Sequence, residues 1–98
     1  MIDIEHMFDS PESICMGIAD RATSRRKTLG LSQIQLAKRS GVSFASLRRF
    51  EATGQISLTS LVKIALCLDV KDDLYQLFKE QKVYNSIQDV IDEANQER

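Results

Sequence analysis

The chain has 98 residues, 43% hydrophobic and 28% charged, with a formal net charge of −1. That length supports one domain with a modest core needing neither disulfides nor metal, and the balance of apolar and charged residues excludes disordered and fibrous classes. The longest apolar run, residues 64–68, is far too short to cross a bilayer.

The small net charge hides a strong segregation. Residues 1–20 carry five acids and no Lys or Arg. Residues 21–55 carry eight bases (Arg21, Arg25, Arg26, Lys27, Lys38, Arg39, Arg48, Arg49) against Glu51 alone, a local charge of +7. Residues 56–98 return to −3. A basic middle between acidic ends is the electrostatic footprint expected of a phosphate-binding surface. A solvated basic face is the simpler alternative, which charge alone leaves open.

Residues 1–9 are ambiguous. Ile2 and Ile4 alternate as in a strand, whereas Ile4, Met7 and Phe8 fit a helix; residues 1–10 are read as an arm. A first helix is expected from Ser10 as N-cap and Pro11 at the first helical position, with Glu12 in the first turn. Ile14, Ile18, Ala22, Arg25 or Arg26, and Leu29 recur along it at helical spacing, and Gly30 ends it. A second helix follows Ser32 and buries Leu36 and Ala37. Gly41 then permits a sharp reversal, and a third helix over residues 43–52 buries Leu47 and Phe50. Two short amphipathic helices around a tight Gly-containing turn are the sequence form of a helix-turn-helix.

Gly54 closes the third helix, and Ile56 anchors the next loop. A fourth helix spans about residues 58–68, with Leu58, Leu61, Ile64, Ala65 and Leu68 forming one stripe. A fifth covers about residues 71–79 and buries Leu74, Leu77 and Phe78. Ser86 to Asp89 resembles a capping box and opens a sixth helix whose apolar side is Ile87, Val90, Ile91 and Ala94. The domain is thus assigned to residues 11–79, and residues 80–98 form a tail with a short helix.

No catalytic or cofactor chemistry is visible. Cys15 and Cys67 make no C-x-x-C pattern and read as small core hydrophobes in a reducing cytoplasm. His6 has no neighbouring Cys or acid pair at metal-ligand spacing, so no metal site is expected. Gly-rich phosphate loops, nucleophile elbows and H-E-x-x-H are absent, and neither a cofactor nor an enzyme activity is expected. The acid pairs Asp72-Asp73 and Asp92-Glu93 sit in helical contexts that solvation explains. The N-terminus opens with Asp3 and Glu5 in place of a basic stretch, so no secretory signal is expected.

The third helix carries the informative surface. With Leu47 and Phe50 facing inward, Phe44, Ala45, Arg48 and Arg49 share the opposite face. By side-chain chemistry alone, Phe44 and Ala45 could contact a thymine methyl, and Arg49 could make two hydrogen bonds to guanine. Arg48 points sideways, toward phosphate. Alternatively Phe44 packs against protein, and Arg49 touches only phosphate. Gln33 starts the second helix, where free backbone amides and the positive dipole end attract an anion. Ser43 serves either its own helix as N-cap or DNA. Thr53, Gln55, Ser57 and Thr59, before and into the fourth helix, are candidate phosphate donors or ordinary loop residues.

Leu29-Gly30-Leu31-Ser32-Gln33, Leu36-Ala37, Ser40-Gly41-Val42-Ser43, Leu47, Phe50-Glu51 and Gly54 together resemble the Cro/CI-type (xre) helix-turn-helix family of bacterial and phage repressors. The resemblance runs from about Arg25 to Phe78. It implies an all-α, five-helix DNA-binding domain (lambda repressor-like), here with a short C-terminal extra helix. It also implies a recognition helix at residues 43–52, binding to operator DNA as a homodimer, and a cytoplasmic location. Gln33 matches a phosphate-anchoring position, and Phe44, Ala45 and Arg49 match sequence-reading ones. Phe44 departs from the polar residue often found there, which leaves the operator sequence open. Arg26 and Glu51 match an internal ion pair; Glu51, the only acid of the basic segment, would oppose DNA if it faced outward.

The run from Leu68 to Phe78, with residues 86–91, looks like HipB-like antitoxins, which accompany HipA-like kinase toxins. A stand-alone repressor and a helix-turn-helix module that binds only protein are the other readings, since a fold alone does not establish DNA binding. For dimerisation, the fifth helix with the tail helix is the first choice and an N-terminal strand arm the second.

Overall fold

A computed structural model describes residues 9–80 and 87–96, and among them every regular element is a helix. The elements are α1 (Pro11–Thr28), α2 (Gln33–Ser40), α3 (Phe44–Thr53), α4 (Leu58–Cys67), α5 (Lys71–Gln76) and α6 (Ile87–Gln96). The expected all-α architecture with a short C-terminal helix is what the described residues adopt.

Local chemistry sets most boundaries. In α1 the Ser10 hydroxyl accepts from Ser13 N–H (3.1 Å), and the Ser13 hydroxyl accepts from Ser10 N–H (3.0 Å). This reciprocal box satisfies two amides that a helix start otherwise leaves orphaned. Ser32 and Gln35 do the same for α2, at 3.1 and 2.8 Å. Ser43 and Ser57 cap α3 and α4 through the amides of Ser46 and Ser60, each at 3.1 Å. At the other end of α1, Leu31 N–H reaches Arg26 C=O and Gly30 N–H reaches Lys27 C=O, the Schellman pattern with its left-handed residue at Gly30. The end of α4 repeats it with Asp69, at φ 59°, in the left-handed position.

The core is one cluster built from Ala19, Leu31, Leu36, Ala37, Val42, Leu47, Phe50, Ile64 and Leu68. It forms where α3 packs on α1 and α2, and α4 on α2, with α5 laid against α4. Leu36, Leu47, Phe50, Ile64 and Leu68 are the largest side chains completely removed from water. The inward residues expected of α2 and α3 are the ones buried.

Several expectations shift. On α1 the inward face is Ala19 and Arg26, with Met16, Ile18 and Ala22 packed beside them, while Ile14 and Leu29 are exposed. The middle of the expected stripe, Ile18, Ala22 and Arg26, thus packs inward, and its two ends do not. An added Cβ at Gly54 would lie 2.7 Å from the carbonyl carbon of Cys15, so α1 is seated directly on the backbone at the end of α3. Cys15 is accordingly exposed and Cys67 only partly buried; both thiols are free.

Leu58 starts α4 but is 70% exposed. The helical part of α5 stops at Gln76, because Leu77 is extended (φ −58°, ψ 127°) and Phe78 is left-handed. Its N-cap Val70 supplies no side-chain cap, and none of its six residues is buried. Leu77 and Phe78, expected in the core, are therefore 55% and 99% exposed. The expected tail helix is present as α6, with Val90, Ile91 and Ala94 exposed. Ser86 and the arm at residues 1–8 lie outside the described residues.

Candidate nucleic-acid interface

The turn between α2 and α3 fixes the angle at which α3 is presented. Gly41 has φ 75° and its amide donates to Ala37 C=O, closing α2 in a left-handed cap. Val42 is then buried in the core, and Ser43 starts α3. Glycine suits this position because L side chains pay steric strain there. With Leu47 and Phe50 drawn into the core, the opposite side of α3 must face solvent. Phe44, Ala45, Arg48 and Arg49 are all exposed, which brings the expected reading face together on one helix side.

Phe44 lies outside the core and is 41% exposed. The Arg48 guanidinium lies 5.8 Å from its ring centroid, one helical turn away. Such stacking shields part of the ring and holds the cation at the helix surface. Arg49 takes a different partner: its guanidinium donates to the side-chain carbonyl of Gln55. The Thr53 hydroxyl donates to Arg49 C=O (2.7 Å) and accepts from Gln55 N–H (3.1 Å). The Ser43 hydroxyl is used within α3, accepting from Ser46 N–H and donating to the Ser46 hydroxyl (2.8 Å).

Behind this face lies a buried ion pair. Arg26 Nε and one terminal nitrogen donate to the two carboxylate oxygens of Glu51, both at 2.9 Å, and its other terminal nitrogen donates to Leu31 C=O (2.8 Å). The Arg26 and Glu51 side chains are 9% and 7% exposed. Gln33 Nε2 adds a bond to Glu51 Oε1 at 3.2 Å. Burial pushes the Glu51 carboxyl toward the neutral form. The hydrogen bonds from Arg26 and Gln33 and the Arg26 charge outweigh that, leaving its pKa below the ordinary 4.5. Glu51 is thus a paired, ionised carboxylate turned away from the outer face of α3, and the basic segment shows solvent little of its single acid.

Three contacts here had no signature in the sequence. Gln33 and Glu51 are 18 residues apart, and their bond is visible only once α2 and α3 are packed. Arg25 Nε donates to Leu68 C=O (3.0 Å), tying α1 to the end of α4 across 43 residues. The Arg49–Gln55 bond crosses a helix end, where helical periodicity carries no information.

Among the described residues no cluster of His, Cys, Asp and Glu could hold a metal ion, and no helix is long and apolar enough to cross a membrane. No curated protein matches the chain significantly. A family model described as helix-turn-helix matches residues 24–75, more than half of the chain, from the latter part of α1 into α5. With that match, the capped α2–turn–α3 unit and the exposed basic face of α3, the chain belongs to the Cro/CI-type (xre) helix-turn-helix family of DNA-binding regulators.

Proposed function

We propose that this regulator binds operator DNA as a two-fold homodimer, lays α3 in the major groove and represses transcription. The observation that carries the reading is the division of α3: Leu47 and Phe50 are buried, while Phe44, Ala45, Arg48 and Arg49 stand exposed beside one another. Recognition helices contact base edges through residues near their N-terminus, where Phe44 and Ala45 sit. Arg49 fits guanine O6 and N7, and Phe44 and Ala45 fit a thymine methyl. Arg48 faces phosphate.

Gln33 serves at the start of α2, where its second amide hydrogen and the helix N-terminus favour an anion. Ser43 acts chiefly as the cap that orders the reading helix. Thr53 and Gln55 border the same surface. Dimerisation around the end of α5 is supported by the exposed apolar side chains of Tyr75, Leu77 and Phe78, since exposed apolar surface marks interaction sites. The same exposed residues favour one second reading, a HipB-like antitoxin that covers them with a HipA-like toxin.

Salt-dependent binding to duplexes from the protein's own upstream region tests the proposal. Affinity should fall linearly on log–log axes, with a slope of about −0.9 per phosphate neutralised. A protein-only module would show no such binding at low salt.

A further inference from the structure

Arg49 is exposed, and a free arginine on a helix surface samples many rotamers, which it must give up to meet a base. Here it does not stand free. Its guanidinium is held by the Gln55 side chain, Gln55 N–H is held by the Thr53 hydroxyl, and that hydroxyl donates back to Arg49 C=O. The three bonds form a closed circuit. Gly54, between Thr53 and Gln55, is seated on the α1 backbone so closely that a Cβ would meet Cys15 at 2.7 Å. The backbone beside Gln55 is thereby seated against α1.

From this geometry we propose that Gln55 is a positioning residue for base reading: it orients the Arg49 guanidinium and touches no phosphate itself. The inference rests on the DNA-reading role of Arg49 given above. One edge of the guanidinium is spent on the Gln55 carbonyl, and arginine has five N–H donors in a planar fork, so a bidentate face remains for guanine. Gln55 contributes no charge, so it should act on discrimination and leave the general attraction to DNA alone. Thr53, through its hydroxyl, sets where Gln55 stands.

The experiment begins with selection of preferred duplexes from a random pool by the wild-type protein. Affinities are then measured for wild type, Gln55→Met, Gln55→Glu, Arg49→Ala and Arg49→Ala with Gln55→Met, on the preferred duplex and on random-sequence duplex. Gln55→Met keeps the length and removes the acceptor. It should lower affinity for the preferred duplex about three- to tenfold, the scale of ordering one long side chain, with random-duplex affinity and salt slope unchanged. That loss should disappear in the Arg49→Ala background, as coupled residues require. Gln55→Glu restores the acceptor and should recover the ratio of preferred to random affinity, while its negative charge lowers both affinities.

Equal losses on both duplexes, a tighter Gln55→Met complex, or the same loss without Arg49 would each overturn the positioning role. A wild-type protein that selects no sequence would overturn the DNA-reading proposal with it. Selection that succeeds while the Gln55 effects fail removes only the positioning role.

Discussion

Two arginines one position apart on α3 make different contacts. Arg48 lies over the Phe44 ring, and Arg49 is tied to Gln55. Replacing Arg49 by alanine should remove about 1–3 kcal/mol of discrimination at one base pair and leave the melting temperature essentially unchanged, because its side chain is exposed. Competition binding with single-base variants of the operator, beside a thermal melt, checks both halves.

The Arg26–Glu51 pair should behave in the opposite way. Removing one member strands a buried charge, at a cost of about 3–5 kcal/mol. Because the folded pKa of Glu51 is depressed, its contribution is fully present above the unfolded carboxyl value near 4.5. It is lost as pH falls from there through the folded value. Glu51→Gln should be less stable than wild type at neutral pH, with a difference that narrows on acidification below about pH 4.5. Denaturant unfolding at several pH values measures this; a gap that widens in acid would contradict the pairing. The pair itself was legible in the sequence through the family pattern and the isolation of Glu51 among bases. The third member, Gln33, was not, because it joins only through tertiary packing.

Among the elements, serines and glycines announced nearly every boundary from Ser10 to Gly54, since capping is a local interaction between residues a few positions apart. What escaped the sequence was orientation and persistence. The ends of the α1 stripe, Ile14 and Leu29, do not face the core, whereas Ile18, Ala22 and Arg26 do. The end of α5 was misplaced because Leu77 and Phe78 are apolar without being buried.

The glycines that bound α3 offer a test at this scale. Gly41 and Gly54 have φ values of 75° and 79°, yet a Cβ at Gly41 meets nothing within 4 Å whereas one at Gly54 meets the α1 backbone. Gly41→Ala should therefore cost only the left-handed strain of about 1–2 kcal/mol. Gly54→Ala should cost clearly more, since a clash with backbone is not relieved by a rotamer change. Paired chemical denaturation curves read the difference, and equal midpoints would show that α1 does not seat on Gly54.

For the molecule as a whole, the near-zero net charge is misleading and its segregation is informative: +7 over residues 21–55 against acidic flanks. That segment runs from the later part of α1 through α2, the turn and α3; Lys38, Arg39, Arg48 and Arg49 lie on α2 and α3, and the other four bases on α1. Domain class and the exposed face of α3 were legible because they follow from local pattern. What covers the exposed apolar residues around Phe78 was not, because exposure identifies a surface without naming its occupant. The most direct test of the central claim is a hydroxyl-radical footprint of the full chain on its own upstream region. Operator binding by a two-fold dimer predicts two protected half-sites on one face of the duplex, centred about 34–36 Å apart. A uniformly cleaved ladder at low salt and saturating protein would contradict it.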